Sequence, residues 1–133
     1  MKKTFSLLGL LLAIMLMVTG CGTALVQNVD NSGFTSKSLS LSKVENAIKK
    51  GAIRKGWRTK KIKSGLIVAD ITVRGKHYVA VNIAYNSKGY KISYRDSKNM
   101  DYDPAKNTIH PNYNKWVAYL QRNINYELTI LDK

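Results

Sequence analysis

Apolar and polar residues alternate through the middle of this 133-residue chain. Ile67, Ala69, Ile71 and Val73 share one face of a run from Leu66 to Arg74. Val79, Val81 and Ile83 do the same from His77 to Tyr85, and Tyr90, Ile92 and Tyr94 from Tyr90 to Arg95. A period of two marks half-buried β-strands. Trp57 to Lys63 reads as a strand before them. Ser64-Gly65, Gly75-Lys76 and Asn86 to Gly89 carry turn chemistry, and turns this short imply an antiparallel meander of four strands. Helical spacing flanks the meander. Val44, Ala47, Ile48 and Ala52 predict a helix over 43–55, opened by a Ser42–Glu45 capping box and ended near Gly56. Residues 96 to 111 read as a polar loop. Pro111 then suits the first turn of a last helix, whose apolar stripe is Tyr113, Trp116, Val117, Leu120 and Ile124. The expected fold is α+β in the order α-β-β-β-β-α, with both helices on one face of the sheet. It occupies residues 42–133 as one small domain.

Upstream the pattern changes twice. Phe5 to Val18 is almost continuously apolar behind the cationic Met1-Lys2-Lys3. Fourteen helical residues reach about 21 Å, short of a hydrocarbon core of about 30 Å. This is the build of a secretory signal peptide over residues 1–20. The following Val18-Thr19-Gly20-Cys21 resembles the lipobox of bacterial lipoproteins, with Val where Leu is usual. The resemblance implies cleavage after Gly20 and a diacylglycerol on the Cys21 thiol, often with acylation of the new amino group. Those acyl chains are the only cofactor-like groups expected. Two or three chains hold a protein stably on a membrane. The resemblance also implies a place in the cell envelope. With Gly22 rather than Asp after the Cys, that place is the outer membrane facing the periplasm if the cell is Gram-negative. From Gly22 to Leu41 the chain is rich in Ser, Thr, Asn and Gly. It reads as a flexible tether with a reach of roughly 25 Å; the alternative is an edge strand within Ala24 to Val29.

Charge adds a second feature. Lys and Arg number 22 against 8 Asp and Glu, a formal net charge of +14. Loss of residues 1–20 removes Lys2 and Lys3 and no acid. Nine basic residues crowd one stretch: Lys43, Lys49, Lys50, Arg54, Lys55, Arg58, Lys60, Lys61 and Lys63, with Glu45 the single acid among them. Such a stretch suits an anionic neighbour. The export signal rules against nucleic acid, which leaves an anionic lipid surface, an acidic envelope polymer or an acidic envelope protein. The plain alternative is a solvated face.

Catalytic chemistry finds little footing. There is no glycine-rich phosphate loop and no Gly-x-Ser-x-Gly elbow. The single Cys is committed to the anchor, so Cys catalysis and an internal disulfide are both excluded. His77 falls at a strand end. His110, Asn112, Tyr113, Asn114 and Trp116 cluster at the start of the last helix. They read either as capping and core groups or as a ligand or partner patch. No metal is expected, because too few His and carboxylate ligands stand together.

The stretches Gly56-Trp57, Arg74-Gly75-Lys76-His77-Tyr78-Val79-Ala80-Val81, Tyr90-x-Ile92-x-Tyr94, Ser97-x-Asn99 and Ile109-His110-x-Asn112-Tyr113-Asn114-x-Trp116-Val117 resemble a group of small uncharacterised bacterial envelope lipoproteins. That resemblance supplies no catalytic residue. The expectation is a non-enzymatic, lipid-anchored binding or accessory module that contacts an anionic surface or partner protein. The alternative is a small-ligand binding module with its pocket near His110 to Trp116.

Overall fold

Two helices lie across one face of a five-stranded antiparallel sheet. The computed structural model describes residues 22–133, so the signal peptide and Cys21 lie outside the described residues. In chain order the elements are β1 (Ala24–Leu25), β2 (Val29–Asn31), α1 (Leu41–Arg54), β3 (Arg58–Lys63), β4 (Leu66–Val73), β5 (His77–Asn86), β6 (Gly89–Lys98), β7 (Thr108–Ile109) and α2 (Asn112–Leu131). The large sheet runs β2-β6-β5-β4-β3, and β1 pairs with β7 in a separate ribbon. No helix among the described residues is long and apolar enough to cross a membrane.

The predicted alternation places the core. Ile67 and Ala69 on β4, Val79, Val81 and Ile83 on β5, and Tyr90 and Ile92 on β6 are all buried. Val44, Ala47, Ile48 and Ala52 of α1 and Tyr113, Val117, Leu120, Ile124 and Leu128 of α2 close over them. Trp116 flanks the α2 stripe and is only partly buried. The helices pack directly on each other where Gly51 meets α2; a Cβ there would lie 2.7 Å from the Ile124 backbone nitrogen. Gly56, at φ +79°, ends α1. The Gly56 N–H donates to the Ile53 carbonyl and the Trp57 N–H to the Ala52 carbonyl, the paired bonds of a Schellman turn.

Three expectations are corrected. The sheet has five strands, not four. The fifth, β2, comes from the segment read as a tether and pairs with β6 at Val29↔Ile92 and Asn31↔Tyr90. That segment is fastened along its length. The Val26 N–H donates to the Asn107 carbonyl, the Thr35 N–H to the Lys88 carbonyl and the Leu39 N–H to the Ser87 carbonyl. The Asp132 carboxylate accepts from the Ser36 N–H at 2.9 Å. These bonds hold Asp132 below the usual carboxylate range, the Ser36 backbone contributing most. Second, β7 interrupts the loop expected over 96–111, and β6 itself runs on to Lys98. Third, Ser40 rather than Ser42 caps α1, its hydroxyl accepting from the Lys43 N–H.

Glu45 is therefore free of capping duty and joins α1 to the sheet. Its carboxylate takes Lys49 at 2.8 Å and Lys61 at 2.9 Å, and accepts from the Tyr85 hydroxyl at 2.9 Å. These bonds, Lys49 first, then Lys61 and Tyr85, hold its pKa down to about 2. A carboxylate depressed by folding stabilises the fold above its unfolded pKa and stops doing so as acid protonates it. Stability should thus fall between about pH 4.5 and pH 2. Urea midpoints at pH 7 and pH 3 check this: Glu45→Gln should lower the pH 7 midpoint and shrink the difference between the two.

Candidate functional site

One end of the sheet carries a cleft of about 250 Å³ lined by Val73, Arg74, His77, Met100, His110, Asn112, Lys115 and Trp116. The strand pattern builds it. Val73 and His77 are cross-strand partners on the helix-facing side, so the buried rows of β4 and β5 run out into the cleft. The turn between them puts Arg74 at φ 57° and Gly75 at φ 64°, closed by the Lys76 N–H on the Val73 carbonyl at 3.2 Å. Glycine accepts this conformation freely, whereas an arginine in it carries strain. Asn99, at φ 56°, locks the turn to the loop after β6: its side-chain amide donates to the Lys76 carbonyl at 2.9 Å.

The two histidines, 33 positions apart in sequence, meet here with ring centroids 6.5 Å apart. Their hydrogen bonds assign different tautomers. His77 Nδ1 lies 2.8 Å from the Asn99 carbonyl, which only accepts, so Nδ1 carries the proton. His110 Nδ1 accepts from the Asn112 N–H at 3.1 Å, so its proton sits on Nε2. Neutral His77 thus keeps Nε2 as an acceptor, and His110 keeps Nε2–H as a donor. The bond to Asn112 also satisfies an orphan N–H at the start of α2, where Pro111 offers no side-chain cap. Among the described residues, no carboxylate lines the cleft. Arg74 and Lys115 form no ion pair among the described residues. The positive end of the α2 dipole adds to their field. The cleft therefore offers cationic groups, the His110 N–H and the His77 Nε2 acceptor beside an apolar wall of Val73, Met100 and Trp116.

The structure divides the residues that the sequence grouped together. His110, Asn112 and Trp116 line the cleft. Tyr113 is fully buried instead, edge-on to Tyr94, and its hydroxyl has no hydrogen-bond partner among the described residues. Burial pushes that hydroxyl well above the usual tyrosine range. Asn114 is structural: its side chain accepts from the Gln27 N–H and donates to the Leu25 carbonyl, which pins the chain after β1 onto α2. Arg74, His77 and Lys115 join the cleft although the sequence did not single them out as site residues. The signal available for Arg74 was an Arg-Gly turn where Asn-Gly is the easy choice.

The basic stretch is divided as well. Lys49 and Lys61 bind Glu45, Arg54 binds Glu127 at 2.8 Å, and Arg58 binds Asp70 at 2.7 Å. Lys55 lies over the Tyr119 ring. Lys43, Lys50, Lys60 and Lys63 have no carboxylate within ion-pair distance among the described residues. Lys63 pairs with Leu66, and Leu66 with Ala84 near the β5–β6 hairpin. The far end of β3 thus lies at the opposite end of the sheet from His77.

No known protein family, curated protein or solved structure matches the chain.

Proposed function

We propose that this is a non-enzymatic, lipid-anchored envelope protein whose folded domain binds an anionic ligand in the His77–His110 cleft. One observation carries the reading: Arg74, Lys115 and two histidines surround a cleft with no lining acid. Val73, Met100 and Trp116 suit a small flat or apolar portion next to the charge. The signal peptide and Cys21 supply the address and the anchor.

Phenyl phosphate is a suitable probe, and Trp116 a built-in reporter, since the only other tryptophan, Trp57, is 2% exposed. Titration should change the fluorescence saturably. Arg74→Ala should weaken binding about tenfold, the loss of roughly 1.4 kcal/mol, as for one charge-assisted hydrogen bond. The same variant should not lower the urea midpoint, because alanine keeps the Cβ that sets the strain at φ 57° and Arg74 forms no ion pair among the described residues. No saturation, or equal affinity in the variant, would refute the cleft.

A second reading keeps the basic stretch. Lys43, Lys50, Lys60 and Lys63 are exposed and unpaired among the described residues, and they suit an acidic polymer or acidic protein domain rather than a small ligand.

A further inference from the structure

We infer that the cleft end of the domain rests on the membrane that holds the Cys21 anchor, with a phospholipid headgroup phosphate as the cleft's occupant. This rests on the lipid anchor and on the cleft's preference for anions, both proposed above. What it adds is orientation and the source of the anion.

The argument starts from the length of chain between the anchor and the fold. Only Gly22 and Thr23 separate Cys21 from Ala24, the first residue of β1. Three residue steps span at most about 11 Å. Ala24 pairs with Ile109, and Leu25 with Thr108. His110 follows Ile109 directly, and Asn114 on the first turn of α2 grips Leu25 and Gln27. Ala24, at most about 11 Å of chain from the acylated residue, is thus fixed beside the mouth of the cleft. A flexible tether of twenty residues would have let either end approach the bilayer; a leash of two does not.

The surface at this end fits the assignment. Arg74, Lys76, Lys98 and Lys115 belong to the strand ends and turns that converge here, against Asp96 and Asp101. Each basic group near an anionic leaflet adds to the attraction. Leu25, 65% exposed beside the leash, is placed to enter the headgroup region. A phosphate entering from the bilayer would meet Arg74, Lys115 and the His110 N–H, and Trp116 has the amphipathic ring that favours membrane interfaces. The lysines at the far end of β3 then point away from the membrane. They are separated from the cleft by most of the length of β5, ten residues or roughly 30 Å.

The test uses the acylated protein in vesicles of phosphatidylethanolamine and phosphatidylglycerol. With Cys21 modified, an engineered cysteine is the single free thiol. Lys98→Cys, cross-strand from Tyr78, marks the cleft end and Lys88→Cys the opposite hairpin; both sites are exposed. Energy transfer from a dye at each site to headgroup-labelled lipid should be several-fold greater from position 98. Adding Arg74→Ala should reduce transfer from position 98, as the headgroup is released. Equal transfer from the two sites, or greater transfer from position 88, would overturn the orientation even if phenyl phosphate still binds the cleft. Transfer favouring position 98 but indifferent to Arg74→Ala and to removal of phosphatidylglycerol would overturn the headgroup as occupant. A mature protein without acyl mass on Cys21 would overturn the inference together with the anchor.

Discussion

Gly51→Ala should destabilise the domain by about 2 kcal/mol, although alanine is the better helix former. A Cβ at position 51 would lie 2.7 Å from the Ile124 nitrogen, 2.8 Å from its Cα and 2.9 Å from the Asn123 carbonyl carbon. All three are backbone atoms, so no side chain can turn aside; α1 and α2 must separate. Overpacking of this kind costs about 1–3 kcal/mol, and the propensity gain returns about 1 kcal/mol at most. A cost at the top of the overpacking range leaves the stated loss. Burial of Ile48, Ile124 and Leu128 depends on the same contact, which places the cost there. A urea midpoint lowered at unchanged slope is the expected result; an unchanged or raised midpoint would mean that the helices adjust freely.

Gly89→Ala should detach β2 from the sheet. A Cβ at position 89 would overlap the Asn31 carbonyl oxygen and stand 3.2 Å from the Phe34 nitrogen. The short strand Val29–Asn31 has few ladder bonds with which to resist. Amide exchange over residues 29–35 should rise toward that of an unstructured chain, while β4 and β5 stay protected. Stability should fall by about 1–3 kcal/mol. β1 stays held by β7 and Asn114, so the variant should keep both the short leash and the cleft. Protected amides in β2 would contradict the steric argument.

The sheet core, both helices and the turns between β3 and β6 were legible because each rests on many periodic residues. Ile67, Val79, Ile83 and Ile92 fall on the buried face that the alternation predicted. Strands of two and three residues have no period to read, so β2 and β7 were hidden and β1 figured only within the alternative edge strand of Ala24 to Val29. Their apolar residues Val26 and Val29 pack against the core, yet in sequence they look scattered among polar neighbours. The tether reading failed for that reason. The cleft was half legible. Polar and aromatic residues at the start of α2 drew attention to His110, Asn112 and Trp116. Nothing local announces that His77 reaches them, since that contact is made by the β4–β5 hairpin folding onto the loop after β6. The basic stretch is less uniform than it reads along the chain. Density along the chain suggested one surface, but folding sends Lys61 back to Glu45 and Arg54 to Glu127.

The most direct measurement of the central claim is a long-range ¹H–¹⁵N spectrum of the histidine rings, recorded as phenyl phosphate is added. With only two histidines in the chain, every signal is assignable. In the free protein at neutral pH, His77 should show a protonated Nδ1 and His110 a protonated Nε2. Both Nε2 signals should move along one saturation curve as the anion binds. Ring signals that stay fixed while the anion shifts amides elsewhere would contradict the account.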